Sequence, residues 1–218
     1  MLECDFFSEA ALIEVMMEST DEQRQWPERA ELHPAEWAFA DSRPRRRRTE
    51  FVAGRRALRL ALTQVGWVGG GALLVGPQGR PVLPDDFTAS LTHKDGFAYA
   101  IAARAEHGWS LGIDCEVVGL RDRNLIARKV LRSAERDRWE AAGGQWRTLL
   151  ELFSTKEAIY KALHPHVPRY IGFDEAEIEA EGGIRLHLTG GEGPFLMERH
   201  LSWQGDRLLA AVRAKPRG

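Results

Sequence analysis

Residues 112–116, Gly-Ile-Asp-Cys-Glu, constrain the fold more than any other part of this sequence, because they end an apolar segment with two carboxylates. On an extended strand successive side chains point to opposite faces, so Asp114 and Glu116 share a face and Cys115 lies on the other. Two carboxylates about 7 Å apart along a strand can hold a hard cation between them. Gly112 lets a ligand or a second backbone approach closely. An exposed strand end without a function is the alternative interpretation.

A second stretch, residues 153–162, supplies a third carboxylate and two lysines. Residues 154–157 match a helix capping box, and Glu157 with Lys161 has the spacing of a surface ion pair. Each of these patterns has a purely structural interpretation. The helical pattern already runs through 149–153, however, so Ser154 is expected inside the helix and not at its start.

The composition excludes several classes of protein. At 218 residues, 44% hydrophobic and 28% charged, the chain is an ordinary globular protein, long enough for a sizeable core. Its net charge of -2 gives no general attraction to nucleic acid or membrane surfaces. The acidic start and the lack of a long apolar run predict a cytoplasmic protein without a signal peptide or membrane span. Two distant cysteines, Cys4 and Cys115, predict neither disulfides nor a zinc site.

Hydrophobic periodicity predicts an α+β protein. Helices are expected at 10–17, 49–62, 121–142 and 146–163. Strands are expected at 97–102 and 109–116, and again in a carboxyl-terminal antiparallel set at 176–180, 184–188, 195–199 and 207–214. Strands and helices in each half predict two lobes of similar size, residues 1–105 and 106–218, although the sequence contains no detectable repeat.

Five motifs follow one another along the chain: Arg-x-Glu-Phe-x-x-Gly-Arg at 48–55, Gly-x-Pro at 79–81, Ser-x-Thr-His at 90–93, Gly-Ile-Asp-x-Glu at 112–116 and Phe-x-x-Lys-Glu-x-x-x-Lys at 153–161. In this order they resemble the 4'-phosphopantetheinyl transferase family, and most closely its monomeric, two-lobed branch, which activates siderophore, polyketide and fatty-acid synthases. The resemblance implies two pseudo-symmetric α/β lobes. It assigns the coenzyme A nucleotide contacts to the first lobe, and the metal site with the catalytic helix to the second.

By this resemblance the reaction is the transfer of phosphopantetheine from coenzyme A to a serine of an apo acyl or peptidyl carrier protein, with release of 3',5'-ADP. Asp114, Glu116 and Glu157 match the family's positions for Mg²⁺, with Mn²⁺ as an alternative metal. A cation and cationic side chains would offset the charge that develops when a pyrophosphate is attacked. Glu157 is also the expected base for the serine. Lys161 is expected to orient Glu157 or to offset charge near the leaving group.

The resemblance also assigns residues to coenzyme A. Those expected along the nucleotide and its phosphates are Arg48, Arg55, Arg56, Arg80, Thr92, His93 and Lys156, and His93 is also counted among the catalytic residues. Arginine suits these positions because its planar fork pairs with two phosphate oxygens. Candidates for contact with an acidic carrier protein, or alternatively for a solvated helix face, are Arg121, Arg123, Arg128 and Arg132. The enzyme is expected to be a monomer that binds neither nucleic acid nor a membrane.

Two other functions fit parts of the sequence. Clustered carboxylates with a lysine also occur in metal-dependent nucleases and phosphodiesterases, which would use the arginines of the early helix to bind a nucleic-acid backbone. Alternatively, the arginine run at 45–48 would make the chain a nucleic-acid-binding module with purely structural carboxylates. Neither alternative accounts for all five motifs.

Overall fold

The structure, a computed structural model, describes residues 7–17, 31–119 and 122–217. The chain divides into two units, Met1–Glu106 and His107–Gly218. Each unit combines helices with an antiparallel sheet, which confirms the predicted α+β class. Among the described residues, no helix has both the length and the apolar character that crossing a membrane requires.

The first unit is built from a three-stranded sheet and one long helix. Its elements are β1 (Ala11–Met16), α1 (Pro34–Asp41), α2 (Arg45–Gln64), β2 (Phe87–Lys94) and β3 (Phe97–Arg104). Strand β3 lies in the middle of the sheet and pairs antiparallel with both neighbours, in the order β1-β3-β2. Apolar side chains of the helix predicted at 49–62 are buried in one core cluster with alanines of β3, which confirms that helix; they include Ala57, Leu58, Ala61 and Leu62.

The helix expected at 10–17 is wrong, because these residues form strand β1. They pair in register with β3, from Ala11 opposite Ala102 to Met16 opposite Phe97. A helix this short is not stable by itself. Pairing with the edge of a sheet instead satisfies the backbone groups, and this partner is distant in sequence and invisible to a local pattern.

The second unit contains the carboxylate motif and the lysine motif. Its elements are β4 (Ser110–Val117), α3 (Arg123–Val130), α4 (Ser133–Ala141), α5 (Trp146–Leu163), β5 (Ala176–Ile178), β6 (Ile184–Leu186), β7 (Phe195–Gln204) and β8 (Arg207–Pro216). The main sheet has the order β4-β8-β7 with antiparallel pairs, and β5 and β6 form a separate two-stranded sheet.

The helical region predicted at 121–142 consists of two helices, α3 and α4. The chain is extended at Leu131 and Arg132, with ψ angles of 132° and 162°. A new helix start follows, because the carboxylate of Glu135 accepts a hydrogen bond from the Arg132 amide at 2.8 Å. This capping interaction satisfies a backbone donor that would otherwise be unpaired at the start of α4.

The two units share one topology, although no repeat is visible in the sequence. In each three-stranded sheet the first strand precedes a long helix, and the other two strands follow that helix as a hairpin. In the second unit α3 and α4 come before the long helix α5, and β5 and β6 come between α5 and the hairpin. The second strand of the hairpin is the central strand of each sheet: β3 lies between β1 and β2, and β8 lies between β4 and β7. Both units therefore present one face of a three-stranded antiparallel sheet to a long helix, α2 in the first and α5 in the second.

Candidate active site

Strand β4 approaches helix α5 so closely that only glycine fits at the point of contact. A Cβ atom at Gly112 would lie 1.9 Å from the carbonyl oxygen of Ala158 and 2.7 Å from the amide nitrogen of Ala162. The sequence left open whether a ligand or a backbone would approach Gly112, and the structure shows that it is the α5 backbone. Asp114 and Glu116 lie on the same face of β4 as Gly112, so both carboxylates face α5.

Asp114 is held by two side chains of α5. Ser154 Oγ donates a hydrogen bond to Asp114 Oδ2 at 2.6 Å, and Lys161 Nζ donates to Oδ1 at 3.0 Å. Because α5 spans Trp146–Leu163, Ser154 lies inside the helix as predicted, and the capping-box interpretation is wrong. The Ser154 hydroxyl binds a carboxylate of the neighbouring strand.

Glu157 lies on the same side of α5 and differs from Asp114 in its surroundings. Its carboxylate makes no hydrogen bond or ion pair with any residue that the structure describes. Burial raises the pKa of Glu157 above its ordinary value of 4.5, and the negative charges of Asp114 and Glu116 raise it further, while Lys161 acts in the opposite direction. A carboxylate with free lone pairs and a raised pKa is suited to accept a proton.

Asp114 and Glu116 of β4 lie near enough to Glu157 of α5 for their charges to act on it, so the three predicted metal ligands are neighbours. Within residues 7–17, 31–119 and 122–217, no group of three or more His, Cys, Asp or Glu side chains is already arranged around a single metal position. The donor set nevertheless fits a hard divalent cation, because all three side chains offer carboxylate oxygens. A cation would also favour the ionised form of Glu157, whose pKa is raised by burial and by the charges of Asp114 and Glu116.

Lys161 is placed to act at this site. Its Nζ donates to the carbonyl oxygen of Ile113 at 2.8 Å and to Asp114, so it orients Asp114 and not Glu157. In the described part of α5, Glu157 and Lys161 therefore do not form the surface ion pair that their spacing suggested. An ammonium group has three N–H donors, and with 26% of the Lys161 side chain exposed, its third donor can reach a ligand.

Lys156 is buried and makes three hydrogen bonds inside the second unit, and its predicted contact with a phosphate stays a prediction. Its side chain is 1% exposed, and Nζ donates to Glu135 Oε2 at 2.6 Å and to the carbonyl oxygens of Val130 and Phe173 at 2.8 and 3.0 Å. All three donors are therefore used inside the protein. Burial lowers the pKa of Lys156, an effect that Glu135 opposes. Five positions along a helix turn a side chain by about 140°, which directs Lys156 away from Lys161.

A small cavity of about 80 Å³ lies beside Glu157. Aromatic rings form much of its lining, and Tyr160 and Tyr170 lie with their ring centres 6.0 Å apart. The complete lining is Lys156, Glu157, Ile159, Tyr160, Tyr170, Ile171, Gly172, Phe173 and Ala176. Sequence reasoning missed this cavity. The sequence offered one indication of it: Tyr160 follows Glu157 by about one helical turn, so the two side chains are expected on the same face of the helix.

In the first unit, His93 of β2 lies beside Glu50 of α2. His93 Nε2 is 3.4 Å from Glu50 Oε2, and the neighbouring Thr92 is buried. Glu50 also accepts hydrogen bonds from Arg46 and Arg47. Burial acts to raise the pKa of Glu50, but these arginines and His93 outweigh it and lower the pKa. Sequence reasoning gave Glu50 no role, although the first motif contains it.

Three of the predicted coenzyme A arginines reach solvent. Arg48 pairs with Asp41 at 2.7 Å and Arg56 with Glu31 at 2.6 Å, with 30% and 23% of the arginine side chains exposed. Arg80 is exposed in the loop before β2. All three are open to an anionic ligand, and a phosphate would compete with a carboxylate for Arg48 and Arg56.

Arg55 is buried in the first unit, and its predicted role at coenzyme A stays a prediction. Only 3% of the residue is exposed. Its guanidinium donates to the carbonyl oxygen of Leu74 at 3.2 Å and lies 4.5 Å from the ring centre of Phe51. Burial lowers its pKa to about 10, which Glu36 opposes and Arg59 reinforces. The last arginine of the first motif therefore packs into the unit.

The arginines considered for a carrier protein have mixed environments. Arg123 donates to the carbonyl oxygen of Gly144 at 3.3 Å, and Arg132 donates to that of Asp174. Arg128 is exposed on α3, and Arg121 lies outside the described residues. Their contact with a carrier protein stays a prediction.

Two family models match the chain, one in each unit. The 4'-phosphopantetheinyl transferase N-terminal domain matches residues 35–103. The 4'-phosphopantetheinyl transferase superfamily matches residues 110–212. The second match contains the carboxylates of β4 and the whole of α5.

Among similar proteins, Npt and PptT carry the name of this family, and enterobactin synthase component D carries another name. The 4'-phosphopantetheinyl transferase Npt of Nocardia iowensis is 33% identical over 176 residues, which cover 80% of this chain and 77% of that protein. The 4'-phosphopantetheinyl transferase PptT of Mycobacterium tuberculosis is 36% identical over 69% of this chain and 64% of that protein. Enterobactin synthase component D of Salmonella typhi is 31% identical over 78% of this chain and 73% of that protein. The chain therefore belongs to the 4'-phosphopantetheinyl transferase family and is a transferase.

Proposed function

We propose that this transferase moves phosphopantetheine from coenzyme A to a serine of an apo acyl or peptidyl carrier protein and releases 3',5'-ADP, with Glu157 as the general base. The observation that carries the proposal is the Glu157 carboxylate, which has a raised pKa and no hydrogen-bonding partner among the described residues. Family membership supports the same reaction and gives no support to the nuclease or nucleic-acid-binding alternatives.

The chemistry requires a base and a cationic environment. The serine oxygen attacks the phosphorus that bears the pantetheine arm, and the bond from that phosphorus to the oxygen of the leaving 3',5'-ADP breaks. Glu157 accepts the serine proton, because the hydroxyl is barely ionised at neutral pH. Lys161, fixed by Ile113 and Asp114, directs its remaining N–H toward a phosphate oxygen.

Asp114, Glu116 and Glu157 would hold a divalent cation, Mg²⁺ or Mn²⁺. When bound, such a cation neutralises charge on the pyrophosphate oxygens. Ser154 keeps one oxygen of Asp114 in a fixed direction and so supports this role. Cys115 lies on the opposite face of β4 and has no part in the proposal.

We further propose that the cavity beside Glu157 receives the pantetheine arm. The arm is a flexible chain with an apolar portion, and the cavity offers Tyr160, Tyr170 and Phe173 next to the proposed base. The nucleotide is assigned to residues of the first unit that reach solvent, namely Arg48, Arg56, Arg80 and His93, with Thr92 beside them. Monomeric state and cytoplasmic location stay predictions from the sequence.

The experiment is an intact-mass measurement on a purified apo carrier protein after incubation with this enzyme, coenzyme A and Mg²⁺. We expect a phosphopantetheine mass increment that disappears with EDTA and falls at least about 100-fold in rate for Glu157→Gln. Glu140→Gln, which makes the same change at an exposed position of α4, is the matched control and keeps the wild-type rate. Normal turnover by Glu157→Gln would refute the assignment of the base.

A further inference from the structure

Residues 170–173, here called the pocket-wall segment, line the cavity beside Glu157. Residues 170–172 belong to no helix or strand. Tyr170 is 72% exposed, so apolar packing alone does not hold its side chain. Short irregular segments of this kind depend on hydrogen bonds to their backbone for a fixed conformation. The segment's backbone is in fact bound at three positions by charged side chains.

Two of these three backbone contacts, at Tyr170 and Gly172, come from a network of ion pairs centred on Arg169. Its guanidinium binds Glu175 through two hydrogen bonds of 2.9 and 2.7 Å, and Glu192 through two of 2.7 and 3.1 Å. Arg169 also donates to the carbonyl oxygen of Tyr170 at 3.0 Å, and Glu175 accepts from the Gly172 amide at 3.1 Å. The network therefore contacts both ends of a three-residue stretch of the wall.

Glu175 anchors this network to a further part of the chain. It also accepts hydrogen bonds from the backbone amide and the hydroxyl of Thr189. Hydrogen bonding to Arg169 lowers the pKa of Glu175 to about 2, against the effect of burial. The carboxylate is therefore ionised throughout the physiological range, and the network does not loosen with ordinary changes in pH.

The third backbone contact of the pocket-wall segment, at Phe173, comes from the Lys156–Glu135 ion pair. Lys156 Nζ donates to the carbonyl oxygen of Phe173 at 3.0 Å while it pairs with Glu135. Glu135 in turn accepts from the amide of Ile178 in β5 at 2.7 Å. Lys156 directly precedes Glu157 on α5, so the pair connects the proposed base's helix to the wall that faces it.

We propose that the Arg169–Glu175–Glu192 network and the Lys156–Glu135 pair are positioning residues that fix the pocket-wall segment and thereby set the affinity for the pantetheine arm of coenzyme A. This inference rests on the proposed function, because it assumes that the arm occupies the cavity. It gives Lys156 a role through Phe173 in place of the phosphate contact that its motif suggested.

The test compares two ligands that differ only in the presence of the phosphopantetheine arm. We would titrate the full-length enzyme, with Mg²⁺ present, with coenzyme A and with 3',5'-ADP by calorimetry. For Arg169→Gln we expect the Kd of coenzyme A to rise about 10-fold, and the Kd of 3',5'-ADP to stay at its wild-type value. In the transfer assay the loss should fall on the KM for coenzyme A more than on kcat.

Arg169→Lys separates geometry from charge. Lysine keeps the positive charge but lacks the planar fork that binds two carboxylates, so we expect it to behave like Arg169→Gln. The matched control is Arg185→Gln, which removes an exposed arginine paired with Glu179 away from the cavity. This control should leave both Kd values unchanged. If Arg169→Gln does not fold, Glu192→Gln removes the more exposed part of the network and should shift coenzyme A affinity in the same direction.

The outcomes distinguish the two proposals. If the wild-type enzyme fails to modify any apo carrier protein, the proposed function is wrong. If it transfers normally but the Arg169 variants bind coenzyme A as the wild type does, only the positioning inference is wrong. Equal weakening of coenzyme A and 3',5'-ADP would likewise overturn the inference, because it would indicate general damage to the fold.

Discussion

At the scale of single residues, Glu157 illustrates how function opposes stability. Burial and two neighbouring carboxylates raise its pKa, so its ionised form is unfavourable in the folded chain without a metal. The folded-state pKa lies above the unfolded value, so the folded state binds the proton more tightly. Ionised Glu157 therefore costs stability at neutral pH, and this cost disappears as the pH falls through the folded pKa toward 4.5.

We predict that Glu157→Gln, measured in EDTA, is more stable than the wild type at pH 7.5 although it is inactive. The amide removes a charge that burial and repulsion disfavour, and it leaves the packing nearly unchanged. The difference in the free energy of unfolding should shrink at acid pH, where the wild-type side chain is protonated. Denaturant titrations at two pH values measure this. A variant less stable than the wild type at pH 7.5 would contradict the electrostatic account.

At the scale of elements, the site depends on the distance between β4 and α5. Strand β4 carries Asp114 and Glu116, helix α5 carries Glu157 and Lys161, and the two backbones meet at Gly112. A backbone cannot move aside as the end of a flexible side chain can. The separation of the two elements therefore fixes the relative positions of the carboxylates.

We predict that Gly112→Ala destabilises the protein by about 1–3 kcal/mol or more, because its Cβ would overlap the α5 backbone. Activity should fall as well, since β4 and α5 would have to separate. Gly70→Ala is the matched control, because nothing lies within 4 Å of a Cβ at that position. Its effect should stay within about 0.5 kcal/mol. Thermal and denaturant unfolding measure both variants, and equal stabilities would show that the backbone contact is not restrictive.

At the scale of the whole molecule, each unit uses one β-α-β-β topology for a different set of residues. The long helix of the first unit carries arginines, and that of the second carries the proposed base and a lysine. Both helices pack on the central strand of their sheet, so equivalent elements of a single architecture present different chemistry. We propose that this division assigns the nucleotide to the first unit and the chemical step to the second.

We predict that Arg56→Gln weakens the binding of 3',5'-ADP about 10-fold or more, since a hydrogen bond to a charged group contributes about 1.5–3 kcal/mol. Arg45→Gln, an exposed change at the start of the same helix, should leave the affinity unchanged. Calorimetric titration at constant ionic strength makes this comparison. Equal affinities of the two variants would remove Arg56 from the nucleotide site.

The sequence by itself determined the family, the α+β class, most of the helices and strands and the residues of the β4 carboxylate pair. These features depend on local spacing: alternation places Asp114 and Glu116 on one face, and a period of 3.6 residues marks α2 and α5. Such patterns are set by covalent geometry and need no knowledge of distant partners.

Only the tertiary structure decided which side chains of each motif face the site. Lys156 and Lys161 belong to one motif, yet packing buries the first on Glu135 and directs the second to Asp114. Arg55 is likewise buried by tertiary packing, and residues 11–16 form a strand because they pair with β3. Residues 170–173 line the cavity only in the folded protein. The physical reason is that burial and hydrogen bonding depend on groups far apart in sequence, and folding alone brings those groups together.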